Sequence, residues 1–216
     1  MNKNDLKLYA ITDRQWLRGA RLSEHVKLAI EGGATMIQIR DKDILSTDSD
    51  AGLKDEYSEA LEIKRICHEH KVPLIINDNV QFAIDIDADG VHLGQDDMNP
   101  AEARKLLGAD KIIGVTAKTV EQAKKAQADG ADYLGSGAVF GSTTKLNAKP
   151  MTKELLREIT AAVDIPVVAI GGINADNAAT LKGTGIAGIA VVGAIFASAD
   201  IKAAARKLAE ICDNML

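Results

Sequence analysis

Charged and amide side chains follow strand-like apolar runs at several points of the sequence, and their types suit the binding of anions. In one of these runs, two isoleucines alternate with Gln38, Arg40 and Lys42. Alternate residues of a strand point to opposite faces, so these three side chains share one face and Asp41 lies on the other. Two cations and an amide on one face predict a site for an anionic ligand.

Two carboxylates at the ends of the next two apolar runs add a second kind of ligand. Asp78 follows the third run of the chain and Asp97 follows the fourth. Beside cations, such carboxylates can simply form ion pairs. Together with the oxygens of a polyanion and water, they make the hard-oxygen environment that suits Mg2+. We therefore predict that Asp78 and Asp97 bind Mg2+ together with a diphosphate.

Further polar residues extend this prediction. Asn77 offers an amide donor, Thr116 ends the fifth apolar run, and the polar loop after the sixth run supplies Lys145. Arg40, Lys42 and Lys145 would offset the charge that develops on a departing diphosphate, and they are the predicted catalytic residues. The strand ends show no Ser-His-Asp or Cys-His arrangement, so no covalent enzyme intermediate is expected.

Glycines end the last two apolar runs and suggest a second anion site. Gly171 and Gly172 follow the seventh run, and Val192 and Gly193 follow the eighth. Glycine lets a ligand approach the backbone closely, and the loops after strands seven and eight of a barrel often bind phosphate through backbone N–H groups. The pair of loops predicts a phosphomonoester ligand.

The order of elements predicts the fold. Eight short apolar runs alternate with helical patterns, which is typical of an α/β protein with a closed (β/α)8 TIM barrel. The main alternative, an open doubly wound sheet, would usually carry a Gly-x-Gly-x-x-Gly turn after its first strand, and here Thr12, Asp13 and Arg14 follow. No linker divides the chain, so residues 1–216 are predicted to form a single catalytic domain.

Two helices are predicted in the last part of the chain. A helix is expected at about residues 176–182, after the seventh strand. The last helix, at about residues 200–214, shows apolar residues at helical spacing. Its predicted buried stripe consists of Ile201, Ala204, Leu208, Ile211 and Met215.

Composition narrows the class of partner. The net charge of the 216 residues is −5, which argues against broad nucleic-acid binding, because that usually requires a basic excess. The first residues lack the apolar run of a signal peptide, and no segment is apolar over the length that a bilayer requires. We expect a cytoplasmic protein with small-molecule substrates and no membrane or nucleic-acid partner. Sequence leaves a homo-oligomer open.

With these residues in view, the chain resembles thiamine-phosphate synthase (thiamine-phosphate pyrophosphorylase) over nearly its whole length. No single motif is specific, but their order and spacing together are. The motifs are Tyr9-Ala10-Ile11-Thr12-Asp13-Arg14, Gln38-x-Arg40-x-Lys42, Asn77-Asp78, His92-Leu93-Gly94-Gln95-x-Asp97, Tyr133-x-Gly135-x-Gly137, Thr144-Lys145 and Gly171-Gly172-Ile173.

The resemblance implies an activity. The family joins 4-amino-2-methyl-5-hydroxymethylpyrimidine diphosphate to 4-methyl-5-hydroxyethylthiazole phosphate, with Mg2+, by a dissociative mechanism that yields thiamine phosphate and diphosphate. It implies that Gln38 faces the aminopyrimidine and that Thr116 lies near it or near the diphosphate. The residues implied to hold the diphosphate are Arg40, Lys42, Asn77 and Lys145, and those implied for the thiazole phosphate and its loop are Gly172, Val192, Gly193, Ser142 and Thr144.

Some positions depart from the family pattern, and some roles stay open. Lys118 stands where the family often has His, and Leu146 where a second Lys is common. The polar loops at residues 45–50 and 142–150 are candidate lids. His92 is expected to point into the barrel, where a hydrogen-bonded core role is favoured over a catalytic one. The alternative functions are a thiazole tautomerase-like barrel and a non-catalytic phosphate-binding barrel.

Overall fold

A closed parallel barrel forms the centre of the protein. The computed structural model describes residues 1–40, 50–141 and 150–216, and for residues 50–54 only the backbone. Within these segments eight strands pair in sequence order, and the last closes on the first, as predicted. The strands are β1 (Leu8–Ile11), β2 (Met36–Ile39), β3 (Leu74–Asn77), β4 (Gly90–Leu93), β5 (Ile112–Thr116), β6 (Tyr133–Gly137), β7 (Val167–Ile170) and β8 (Gly188–Val191).

The strands are short and buried on both faces. All four residues of β2 are buried. Ile37 and Ile39 belong to the outer apolar layer, between the strands and the helices, whereas Met36 belongs to the smaller apolar cluster inside the barrel. This division follows from strand alternation in a sheet that is covered on both sides. The predicted role of the two isoleucines in packing against helices is confirmed.

Helices surround the barrel, and most begin at a residue whose side chain caps them. Asn79, Asn99, Thr119, Thr152 and Asp200 each accept a hydrogen bond from a backbone N–H of the first helical turn. The helices are α1 (Leu22–Glu31), α2 (Asp50–Glu69), α3 (Val80–Asp85), α4 (Pro100–Leu107), α5 (Val120–Ala128), α6 (Lys153–Ala161), α7 (Gly193–Phe196) and α8 (Ile201–Met215).

The element after β7 differs from the prediction. It is a short 3-10 helix, Ala178–Leu181, and not a full α-helix over residues 176–182. The side chains of Asn174 and Asn177 accept hydrogen bonds from nearby backbone N–H groups before it begins, and such bonds compete with helix formation. Gly183, with a φ of 77°, follows its C-cap residue, Lys182.

The buried face of α8 is also rotated slightly from the predicted stripe. Ile201, Leu208 and Met215 are buried as expected. Ala204 and Ile211, however, are only partly buried, and their neighbours Ala205 and Cys212 lie fully in the core. The helix packs on both α1 and the barrel, so its contact surface is wider than a single stripe. None of the helices in the described segments is long and apolar enough to cross a membrane.

Candidate active site

A layer of interior side chains lies beneath the C-terminal ends of the strands. Most of its members are apolar, including Ile11, Met36, Ile75 and Val168. Tyr9 and Tyr133 lie in the same layer, fully buried, with their rings in an edge-to-face arrangement and their centroids 5.9 Å apart. Buried hydroxyl groups require hydrogen-bond partners, and these two provide them for each other.

A continuous chain of hydrogen bonds crosses the barrel through these tyrosines. The Nε2 of Gln38 donates to the hydroxyl of Tyr9 at 2.6 Å, and the two tyrosine oxygens are 2.8 Å apart. The hydroxyl of Tyr133 is 3.0 Å from Nδ1 of His92, and Nε2 of His92 is 3.0 Å from Oγ1 of Thr116. The chain therefore links the predicted pyrimidine-facing amide on β2 with a hydroxyl at the end of β5.

Glycines on β5 and β6 make room for the rings of this chain. A Cβ atom on Gly114 would lie 2.0 Å from the ring of Tyr133, and one on Gly135 would lie 3.1 Å from the imidazole of His92. Side chains at these positions would displace the rings. The hydrogen-bond chain therefore fits partly because these two positions have no side chain.

Burial sets the protonation states of the titratable side chains in the hydrogen-bond chain. Burial raises the pKa values of Tyr9 and Tyr133, which keeps both phenols neutral at neutral pH. Burial also lowers the pKa of His92 to about 4, although the charge of Asp97 opposes this shift. The prediction that His92 points inward and forms core hydrogen bonds is confirmed.

The two predicted metal ligands meet at the rim above this chain. Asp78 follows β3 and Asp97 lies in the turn after β4. The pKa of Asp78 is raised to about 6, first because its carboxyl group loses hydration and then because Asp97 shares a hydrogen bond with it and repels its negative charge. Asn77 and Arg40 lower the same pKa. A carboxylate pair of this kind is stabilised by a nearby cation.

The backbone holds both carboxylates in place. Asp78 has a φ of 60°, a left-handed conformation that few residues other than glycine adopt. Its N–H donates to the carbonyl of His92 at 2.8 Å, and its carboxylate accepts a bond from the Asn77 amide at 2.6 Å. The carboxylate of Asp97 accepts from the N–H of Gly94, also at 2.6 Å. Strained backbone of this kind is found preferentially at functional sites.

The chemistry of this pair fits a magnesium ion. Within the described segments no group of three or more His, Cys, Asp or Glu side chains is arranged to hold a metal. Mg2+, however, is usually bound by one or two carboxylates, with water and substrate phosphates as its other ligands. Asp78 and Asp97 match that donor set. Asn79 does not join them, because its side chain caps α3.

Arg40 lies beside the carboxylates, just beyond the end of β2. Its backbone N–H donates to Oγ1 of Thr12 at 3.1 Å, and the N–H of Thr12 donates to the carbonyl of Gln38 at 2.9 Å. These bonds tie the end of β1 to the segment that carries the guanidinium group. The position agrees with the predicted convergence of Gln38 and Arg40 at the rim.

The opposite side of the rim is formed by glycine backbone. Gly171 and Gly172, with φ of 101° and 66°, follow β7. A Cβ atom on Gly172 would lie 2.8 Å from the carbonyl oxygens of Phe140 and Gly141. The amide of Asn177 donates to the carbonyl of Gly172 at 2.8 Å and fixes the turn.

Val192 and Gly193 follow β8 on the same side of the rim. Gly193 begins α7, and Val192 is its N-cap residue. The ends of β7 and β8 are adjacent, because these strands pair in the barrel. The glycines of both predicted phosphate loops therefore lie on one side of the rim.

Several predicted site residues lie outside the described segments. Lys42, Ser142, Thr144 and Lys145 fall within residues 41–49 and 142–149. Leu146 and most of both candidate lids fall there as well. Their predicted roles rest on the sequence alone.

The hydrogen-bond roles of Tyr9, Tyr133 and Thr12 were not predicted from the sequence. Both tyrosines occur in the motifs that carry the family resemblance, but neither was assigned a function. Strand alternation could have indicated these roles, because Tyr9 and Tyr133 occupy inward-facing positions of β1 and β6. Polar side chains at inward positions need partners, so both tyrosines could have been grouped with His92.

Comparisons with known proteins identify one family. The family described as thiamine monophosphate synthase matches residues 8–195. The thiamine-phosphate synthase of Ruminiclostridium cellulolyticum is 49% identical over 213 residues, which cover 99% of this chain and 98% of that protein. The enzyme of the same name from Clostridium tetani is 47% identical over 208 residues, 96% of each chain.

Solved structures give the same result. Thiamine phosphate pyrophosphorylase from Pyrococcus furiosus superposes with a TM-score of 0.87 at 39% identity and covers 99% of this chain and 98% of its own. A 3-hexulose-6-phosphate synthase, at 18% identity and a TM-score of 0.64, covers 95% of this chain and 99% of its own and shares the fold alone. The predicted TIM barrel and transferase class are confirmed. The chain belongs to the thiamine monophosphate synthase family.

Proposed function

We propose that this barrel joins 4-amino-2-methyl-5-hydroxymethylpyrimidine diphosphate to 4-methyl-5-hydroxyethylthiazole phosphate, forming thiamine phosphate and releasing diphosphate. The observation that carries the assignment is the pairing of Asp78 with Asp97 beside Arg40, on the same rim as the glycine loops. One side of the rim suits a metal-bound diphosphate and the other suits a phosphomonoester. The names of the relatives support the same reaction.

The pyrimidine diphosphate would bind on the β2–β5 side. Gln38 would face the aminopyrimidine, and Arg40 and Asn77 would contact the diphosphate. Lys42 and Lys145, which lie outside the described segments, are proposed to contact it as well. Asp78 and Asp97 would hold Mg2+. When bound, this ion would supply a Lewis acid for the diphosphate oxygens.

The thiazole phosphate would bind on the β7–β8 side. Backbone N–H groups of Gly172, Val192 and Gly193 would donate to its phosphate oxygens. Ser142 and Thr144 would contribute hydroxyl groups from the loop after β6. The turn that carries these N–H groups requires glycine at position 172, because a Cβ atom there would lie 2.8 Å from neighbouring carbonyl oxygens.

The chain's residues would favour a dissociative reaction. The bond between the pyrimidine methylene carbon and the diphosphate oxygen breaks first, and both electrons leave with the diphosphate. Arg40, Lys42 and Lys145 offset the negative charge that develops on that oxygen. The thiazole nitrogen then forms the new bond to the methylene carbon. The phosphate loops hold the thiazole so that this nitrogen reaches the carbon before water does.

The alternatives are not favoured. A thiazole tautomerase-like barrel would need a phosphate site but no diphosphate machinery, whereas this chain has Arg40 and the Asp78–Asp97 pair. A non-catalytic phosphate-binding barrel would likewise have no use for the paired carboxylates. The 49% identical relative is named as the synthase.

The proposed reaction is tested by incubating the purified protein with both substrates and MgCl2. We expect thiamine phosphate and diphosphate in equal amounts, with no product when either substrate or Mg2+ is omitted. Failure to form thiamine phosphate with both substrates and Mg2+ present would reject the assignment. Isomerisation of the thiazole without the pyrimidine substrate would favour the tautomerase.

Three broader assignments complete the proposal. Residues 1–216 act as one catalytic domain, and the protein works in the cytoplasm on small-molecule substrates. A homo-oligomer is compatible with this function, which does not require one. Sedimentation equilibrium of the purified protein would determine the oligomeric state.

A further inference from the structure

We propose that the buried hydrogen-bond chain has one fixed direction, with donors running from Gln38 through Tyr9, Tyr133 and His92 to Thr116. This direction decides which atoms of Gln38 and Thr116 face the substrate. The inference rests on the proposed function for the identity of that substrate. It assigns Tyr9, Tyr133 and His92 as positioning residues for the pyrimidine half of the site.

The direction begins at the amide of Gln38. Its Nε2 can only donate, so the hydroxyl of Tyr9, 2.6 Å away, accepts. Tyr9 has one proton of its own and is only 1% exposed. Within the described segments, the hydroxyl of Tyr133 is the remaining group in hydrogen-bond contact with it. Tyr9 therefore donates to Tyr133.

The same reasoning carries the direction to Thr116. Because Tyr133 accepts from Tyr9, its single proton goes to Nδ1 of His92, at 3.0 Å. A neutral imidazole has one donor and one acceptor, so the proton of His92 lies on Nε2 and is donated to Oγ1 of Thr116. The hydroxyl proton of Thr116 is then left for a ligand at the rim.

The fixed direction gives the site a defined polarity. Gln38 presents its carbonyl oxygen, an acceptor, and Thr116 presents a donor. The exocyclic amino group of an aminopyrimidine matches the first, and a ring nitrogen or a diphosphate oxygen matches the second. The reverse direction would turn the Gln38 amide and place its NH2 group against the amino group of the substrate. Two donors facing each other would leave both unpaired, which is costly in a buried site.

The direction is measurable as the tautomer of His92 in the substrate-free protein. Two-bond 1H–15N correlation spectra of 15N-labelled protein distinguish an imidazole protonated on Nε2 from one protonated on Nδ1. The chain has four histidines, and a His92→Gln variant identifies the signal of His92. We expect protonation on Nε2. Protonation on Nδ1, or rapid exchange between the two forms, would overturn the proposal.

A substitution at Gln38, where the hydrogen-bond chain starts, should reverse the direction of that chain. In Gln38→Glu an ionised carboxylate can only accept, so Tyr9 must donate to it and every later bond must turn. We expect the proton of His92 to move from Nε2 to Nδ1 in spectra recorded at about pH 9, where an ordinary carboxyl group is ionised. An unchanged tautomer in a folded variant would show that Gln38 does not set the direction.

The matched control is Gln95→Glu. Gln95 lies at the same rim and donates to the backbone carbonyl of Thr116, outside the chain of side chains. The Gln95→Glu substitution introduces the same charge outside the hydrogen-bond chain, so the proton of His92 should stay on Nε2. All these spectra are recorded without substrate. Absence of thiamine phosphate synthesis would therefore reject the proposed function, whereas the wrong tautomer would reject only the polarity of the chain.

Discussion

The two sides of the rim bind anions by different means. On the β2–β5 side, polar side chains converge, and loss of hydration together with the neighbouring Asp97 raises the pKa of Asp78 to about 6. On the β7–β8 side, the important feature is glycine backbone, which is exposed at Gly172 and partly buried at Gly171 and Gly193. One side depends on functional groups, and the other depends on the absence of side chains.

This difference predicts which kind of substitution should impair each side. The β2–β5 side should lose function when a charged or polar group is removed. The β7–β8 side should lose function when a carbon atom is added. The rim also differs in what lies beneath it, because the first side rests on the hydrogen-bond chain from Gln38 to Thr116.

The largest effect is expected from Asp97→Asn. The asparagine oxygen can still accept the bond from the N–H of Gly94, so the turn should persist while one negative charge is lost. We expect kcat/KM for the pyrimidine diphosphate to fall about 10²–10³-fold. Steady-state kinetics at saturating Mg2+ measure this change.

The matched control for this substitution is Asp96→Asn. Asp96 is an exposed neighbour in the same turn, and we assign it no role in the site. Its substitution should leave the rate near that of the wild type. Equal rates for the two variants would remove Asp97 from the metal site.

A large stability effect is expected from Gly114→Ala. The added Cβ atom would lie 2.0 Å from the ring of Tyr133, so the ring must move and the layer under the β2–β5 side must repack. We expect a loss of about 3 kcal/mol in the free energy of unfolding, at the upper end of overpacking effects. Urea denaturation measures it. A loss below about 1 kcal/mol would show that the interior layer is loosely packed.

The pKa of His92 predicts a pH dependence of stability. Its folded pKa of about 4 lies below its ordinary value of 6.5, so the unfolded chain binds more protons between these values and stability falls as the pH falls through this range. Relative to His92→Gln, the wild type should lose about 2 kcal/mol between pH 7 and pH 5.

The difference between the two proteins isolates this contribution, because both contain Asp78. The raised pKa of Asp78 acts in the opposite direction, since its folded carboxyl group binds a proton more readily than the unfolded one. Denaturant titrations at several pH values give both curves. Parallel curves would contradict the lowered pKa of His92.

The smallest effect is expected on the glycine side. In Gly172→Ala the new Cβ atom would meet two carbonyl oxygens at 2.8 Å, at a residue whose φ is 66°. We expect KM for the thiazole phosphate to rise about tenfold through backbone strain, with KM for the pyrimidine substrate nearly unchanged. Steady-state kinetics with each substrate varied in turn measure both constants.

The control for the glycine side is Gly183→Ala. Its φ of 77° imposes similar strain, but a Cβ atom there would meet nothing within 4 Å. This variant should lose stability without a change in either KM. A rise in KM for both substrates in Gly172→Ala would mean that the two sides of the rim are not separate.

Much of the fold was predictable because its signals are local. The strand of residues 74–77 follows a proline, and the helix of residues 100–107 begins with one. Both have the predicted bounds. The helix after β7 was not predictable from apolar spacing, because the side chains of Asn174 and Asn177 bind the backbone there. These bonds favour a shorter 3-10 segment.

The site was predictable where residue type and strand phase coincide. Gln38, Arg40 and Asp78 lie towards the C-terminal ends of β2 and β3, where the sequence pattern placed them. The tyrosine chain was not predicted, because Tyr9 and Tyr133 are 124 residues apart and meet only through the register of the closed barrel. Long-range contacts of this kind are set by tertiary structure and leave no local pattern.

The most direct test of the division between the two sides is a crystal structure with Mg2+, diphosphate and the thiazole phosphate bound. We expect Mg2+ on the carboxylates of Asp78 and Asp97, with the diphosphate beside Arg40. The thiazole phosphate should lie against the backbone N–H groups of Gly172 and Gly193. A thiazole phosphate bound on the β2–β5 side, or Mg2+ bound away from both carboxylates, would contradict the account.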